Sequence, residues 1–140
     1  MSRCAPERSR NAQRGAAAIE FALILPLFLV LVLGAIDWGW YFFIDQLVTN
    51  AAREGARAGT MLPPRPTSTA AQAEVAAQNA GLAFLQRVRL NRTGVVATYT
   101  SVEGTDAISV TVTYPVGSLT GFLRTLIPAN ARATSVMRWQ

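Results

Sequence analysis

The side chains able to do chemistry in this 140-residue chain are few: eight carboxylates, one cysteine and thirteen basic residues, every one of them arginine. There is no histidine, which removes His-based triads, His-ligated metals and imidazole acid–base catalysis. Cys4 is the only cysteine, so no intrachain disulfide can form. It precedes the long apolar run, the wrong side for lipoprotein acylation. Glu103 and Asp106 sit in a turn, where acidic side chains commonly bond to local backbone. Asp37 and Asp45, beside Trp38 and Trp40, read as interface anchors. No carboxylate pair, metal cluster, phosphate loop or nucleophile elbow is visible. The expectation is a non-enzymatic protein with no cofactor, no metal and no small-molecule substrate.

One carboxylate is out of place. Glu20 interrupts "RGAAAIEFALILPLFLVLVL" (Arg14–Leu33), the most apolar stretch of the chain. A charge deep in a lipid-bound helix costs roughly 2.5–3.5 kcal/mol on insertion scales, so Glu20 needs either a mild location or a partner. Three readings compete. A plain signal anchor would let Glu20 snorkel to the interface beside Arg14. A secretory signal peptide would need a shorter apolar stretch than this one, and the only small-residue cleavage candidate, "LGA", has Leu33 where a small residue belongs. A prepilin-type signal would place the cut after Gly15, on the cytoplasmic side, and leave the apolar helix in place.

The elements that must position this carboxylate are legible in outline. Residues 1–15, "MSRCAPERSRNAQRG", are polar and expected to be unstructured. The segment from Ala16 to Ile36 is long enough to span a bilayer, which takes about 20 apolar residues, with Pro26 tolerated in lipid as a kink. "DWGWYFF" (Asp37–Phe43) resembles the aromatic belt of a headgroup interface. Arg3, Arg8, Arg10 and Arg14, opposed only by Glu7, would hold the N-terminal side in the cytoplasm. The net charge of +5 comes with no basic stripe interleaved with aromatics, so nucleic-acid binding is not expected.

Helical character continues through "IDQLVTNAAREGARAG". From Ala16 to Gly59 a continuous helix would run about 65 Å, twice the bilayer core. Ala51, Gly55 and Gly59 recur every four residues, a stripe that lets a partner helix approach closely. Glu54 and Arg57 are expected to pair on the opposite surface. "MLPPRPTST" ends the helix. Thr69 and Gln72 form a capping-box pattern opening a second helix to about Arg87, whose apolar surface reads as Val75, Leu82, Phe84, Leu85 and Val88. "GVVATYTSV" and "AISVTVTYPV" flank "EGTD" as an antiparallel hairpin. "SLTGFLRTLIPAN" reads as a loop or short helix, and "RATSVMRW" as a third strand. The fold class is therefore α+β. A leader (1–15), a transmembrane helix and stem (16–59) and a linker (60–69) are followed by a small extracytoplasmic head (70–140).

With "GAAAIEFALILPLFL" followed at a set distance by "NAAREGARAG", residues 15–59 resemble a TadE-like pseudopilin of tight-adherence (Flp) pilus assembly. "ATSVMRW" near the C-terminus agrees more weakly. The resemblance implies cutting by a membrane prepilin peptidase between Gly15 and Ala16. Glu20 then becomes the fifth residue of the mature chain, followed by Phe21, and meets the N-terminal amine of a neighbouring subunit during assembly. It also implies other pilins or pseudopilins and an inner-membrane pilus platform as partners, in the cytoplasmic membrane of a bacterium. The rival from another class is a signal-anchored envelope domain that binds a ligand and never enters a pilus machine.

Overall fold

A computed structural model describes residues 8–63, 68–91, 94–121 and 125–139, with side chains from Gly15 onward. Cys4, Arg3 and the side chains of Arg8, Arg10 and Arg14 lie outside the described residues. The chain runs α1 (Arg8–Thr60), α2 (Ala70–Arg87), β1 (Gly94–Val102), β2 (Thr105–Pro115) and β3 (Asn130–Arg138). The α+β expectation holds: a long apolar helix, a second helix and a three-stranded antiparallel sheet.

α1 is one 53-residue helix that passes through Pro26, about 80 Å end to end. It starts at Arg8, not Ala16, so the second half of the polar leader is helical where an unstructured segment was expected. Arg8, Arg10, Ala12, Gln13 and Arg14 are good helix formers that offset Ser9, Asn11 and Gly15 and let the apolar helix propagate backward, each added residue gaining a hydrogen bond on an existing turn.

α2 opens on the anticipated capping box. The Gln72 backbone N–H donates to Thr69 Oγ1 at 3.3 Å, and the Thr69 N–H donates to Gln72 Oε1 at 2.9 Å. Its buried face matches the expected one only in part. Ala73, Ala77, Gly81 and Leu85 are buried, whereas Val75 is 55% exposed. A four-residue spacing keeps those positions on one side of the helix; Leu85 is buried there as expected, with Phe84 and Val88 packed at the margin, and the small Ala73, Ala77 and Gly81 admit the close approach of α1.

The sheet has order β1-β2-β3 with both pairings antiparallel. Glu103 and Gly104 alone connect β1 to β2, both at positive φ (53° and 76°), as a mirror-image two-residue turn requires. Thr105 and Asp106 already belong to β2. Ile108, Val110 and Val112 are fully buried, while Ser109, Thr111 and Thr113 face outward, the alternation of a sheet with one wet face. Thr111 and Thr134 share a hydroxyl hydrogen bond across that face at 2.9 Å. The described part of the β2–β3 connection contains no helix.

The core lies between the sheet and the second half of α1. Ile44, Val48, Ala51, Ala52 and Ala56 of α1 join Ala73, Ala77 and Leu85 of α2 and the inner face of β2. Each fully buried Ile, Leu or Val contributes about 1.5–3 kcal/mol by leaving water. The stem is thus the central helix of the head, with both α2 and the sheet packed on it.

Two side chains tie the margins. Trp139, 4% exposed, donates its indole N–H to the Leu62 carbonyl at 2.9 Å, fixing the C-terminal end to the exit of α1. Glu74 accepts the backbone N–H of Tyr99 at 2.6 Å, occupying a donor on the free edge of β1 that would otherwise invite strand pairing. The Tyr99 hydroxyl in turn donates to the Asp106 carboxylate. Glu54 and Arg57 are both exposed, but the expected pair between them is absent. Among the described residues the ion pair is Arg138–Glu103, at 2.8 Å.

Candidate functional site

The site is built on α1, and its two halves have opposite surroundings. Residues 15–36 rise roughly 33 Å at about 1.5 Å per residue, close to the ~30 Å hydrocarbon core of a bilayer. None of them is buried among the described residues; burial begins with Asp37, which follows. Ile19, Phe21, Leu23, Ile24, Leu27, Phe28 and Leu31 are each more than half exposed. An apolar surface this large, left bare by its own fold, marks an interaction with lipid or with other apolar helices. Glu20 stands exposed on it, with Phe21 beside it at 64%. Ile24, Leu27 and Leu31 continue the Glu20 face at helical spacing. Gly15 is equally open: a Cβ built there would meet nothing within 4 Å. The fold therefore places no demand on Gly15, Ala16, Glu20 or Phe21.

The boundary between the halves is Asp37. It is fully buried, not the exposed interface anchor expected of it. Ser118 Oγ donates to its Oδ2 at 2.7 Å, the Thr120 N–H to its Oδ1 at 2.8 Å, and Thr120 Oγ1 to its Oδ2 at 2.7 Å. These donors come from the β2–β3 connection, more than eighty positions away. Such a carboxylate is stable without water because charge-assisted bonds replace its hydration. No signal in the sequence distinguishes it from Asp45, since its partners are remote.

The aromatic belt is likewise divided. Trp40 and Tyr41 pack against the core, while Trp38, Phe42 and Phe43 stay exposed. Helical period decides this: positions 37, 40, 41, 44 and 48 share the face turned to the head.

The stripe Ala51, Gly55, Gly59 is buried and meets a helix, but that helix is α2 of the same chain. A Cβ on Gly55 would lie 2.8 Å from the Ala77 carbonyl oxygen. One on Gly59 would lie 3.0 Å from both the Ala73 oxygen and the Ala77 Cβ, and one on Gly81 would lie 3.5 Å from the Ala51 oxygen. Descending α1 by four residues matches ascending α2 by four, so the pair is antiparallel with backbones in near contact. The role expected of this stripe, docking a separate partner, is filled from within the chain.

Replacing Asp37 tests the boundary. Asp37→Ala would leave two hydroxyls and one backbone N–H without their acceptor, a loss of about 3 kcal/mol at the charged-bond scale. Asp37→Asn keeps one acceptor oxygen and is expected to lose less than half as much. Denaturant midpoints of the full chain in detergent check the order; equal stability of all three proteins would show that the carboxylate is dispensable.

The geometry defines a class: a small α+β head built around the distal half of a single long helix whose proximal half is bare and apolar, a candidate membrane anchor. Residues 15–57 match the family model of TadE-like protein, and over that segment the chain is similar to that family. The match runs from the glycine before the apolar run to Arg57, covering both the bare half of α1 and most of its buried half. No curated protein matches the chain, and no solved structure does.

Proposed function

We propose that the protein is a non-enzymatic minor pseudopilin that takes part in assembling a tight-adherence pilus. The observation carrying this reading is the TadE-like match over residues 15–57, on a helix whose bare half presents an exposed carboxylate five residues after Gly15. In this reading α1 spans the bacterial cytoplasmic membrane, with the arginines before Gly15 inside and the head outside. A prepilin peptidase cuts between Gly15 and Ala16, and other pilins, pseudopilins and the inner-membrane platform are the partners. Glu20 accepts the new N-terminal amine of a neighbour. In low dielectric an unpaired carboxylate is costly, and an ammonium within hydrogen-bond reach removes most of that cost.

Cleavage tests the reading against a signal-anchored envelope domain. Mass spectrometry of the protein from native membranes should find a chain beginning at Ala16, and Gly15→Val should accumulate as the longer precursor. Because a side chain at Gly15 meets open space, that accumulation reports recognition by the peptidase and not misfolding. A wild-type protein that keeps its first fifteen residues would sink the proposal.

A further inference from the structure

The antiparallel arrangement gives the head a defined lower end, where α1 leaves its apolar half. β2 descends from the Glu103–Gly104 turn and ends at Pro115; β3 starts back up from Asn130. The described residues of this connection, 116–121 and 125–129, therefore lie at the level of Asp37, which holds Ser118 and Thr120. α2 also descends, and its register against α1 brings Arg87 level with Asp45. Arg89 follows beyond the end of the helix.

This end displays a group of exposed apolar side chains. Ser118 and Thr120 both turn toward Asp37, so Leu119 between them turns away and is 60% exposed. Leu126 is 68% exposed, while its neighbour Ile127 is buried at 8%. Trp38, Phe42 and Phe43 are exposed on the adjoining turns of α1. Above them Arg87 and Arg89 are exposed, and neither forms an ion pair among the described residues. Apolar tips below and arginines above are the arrangement of a protein surface resting in a headgroup layer.

We propose that the lower end of the head is itself a membrane contact. Leu119 and Leu126 enter the headgroup–acyl boundary of an anionic bilayer, and Arg87 and Arg89 bind its headgroups. The surface is continuous with the bare helix, and its charge complements anionic lipid. The inference rests on the membrane-spanning reading of α1. Its effect is to fix the tilt of the head, because a helix alone leaves tilt to its packing and anchors. Asp37 is the positioning residue: it holds the loop that carries Leu119 at the depth where the span ends.

The test uses the full chain with Cys4→Ser and one new cysteine at a time: Leu119→Cys, Leu126→Cys, Glu103→Cys at the far turn, or Phe28→Cys in the span. Each carries an environment-sensitive fluorophore, in vesicles of phosphatidylglycerol and phosphatidylethanolamine. Labels at 119 and 126 should be quenched by lipid-borne nitroxide and several-fold less by aqueous iodide than the label at 103. Substituting phosphatidylcholine for phosphatidylglycerol should raise iodide quenching at both, and Arg87→Gln with Arg89→Gln should abolish that lipid dependence. Iodide access at 119 and 126 equal to that at 103 would overturn the proposal. So would protection from both quenchers, which would mean that protein covers the surface, or a lipid response indifferent to the two arginines. If the label at 28 escapes the lipid quencher, the spanning reading fails, and this inference with it.

Discussion

Glu20→Ala is expected to be cut normally, to insert at least as well as wild type, and to support no pilus assembly. The first two outcomes follow from its surroundings. Glu20 is exposed on a stretch of α1 that is not buried by any described residue, so removing it disturbs no packing. Insertion improves because a charge costing roughly 2.5–3.5 kcal/mol in lipid is gone. The third follows from the proposed pairing with a neighbour's N-terminal amine, which alanine cannot make. Glu20→Asp, with the same charge on a shorter reach, should be intermediate. Precursor and mature masses, measured alongside surface-pilus counts, separate the steps. Assembly by Glu20→Ala at the wild-type level would make the carboxylate an interfacial residue of a plain anchor.

Gly55→Leu is expected to unfold the head. A Cβ at this position would stand 2.8 Å from the Ala77 carbonyl oxygen and 3.2 Å from Val110 Cγ1, so even Gly55→Ala must part α1 from α2. Overpacking of that kind costs about 1–3 kcal/mol, and leucine adds three more carbons with no space to receive them. The loss propagates because Ala51, Ala77 and Val110 belong to one core. Membrane insertion should be unaffected, since the bare half of α1 lies elsewhere. Glu54→Ala, on the exposed side, should stay within about 0.5 kcal/mol. Far-ultraviolet circular dichroism and protease resistance of the full chain in detergent read the outcome. A Gly55→Leu head with the wild-type unfolding midpoint would contradict the close approach of the two helices. The distinction matters for function: assembly lost through Gly55 would reflect a broken head, whereas assembly lost through Glu20 would not.

The sequence by itself determined the elements and their order. Signals of this kind are local. The apolar run marks a bare helix, Thr69 and Gln72 close a cap three residues apart, and period-two alternation from Ile108 to Tyr114 requires a half-buried strand. The "EGTD" spacing marks a hairpin, although its turn proved to be Glu103 and Gly104 alone. The sequence also carried the resemblance at residues 15–57, because spacing along one helix is preserved in the chain itself. Only the tertiary structure decided what covers each face. Ala51, Gly55 and Gly59 announce that something approaches closely, but not that it is Ala73, Ala77 and Gly81 of the same chain. α2 looked as if it would bury its largest side chains. It buries Leu85 as expected, but also Ala73, Ala77 and Gly81 in place of Val75, because a facing helix of glycine and alanine rewards close backbone contact. Asp37 looked like any acidic residue at the end of an apolar helix. Ser118 and Thr120, which donate to it, lie on a connection more than eighty residues away, and only the antiparallel return of the sheet brings them beneath the head.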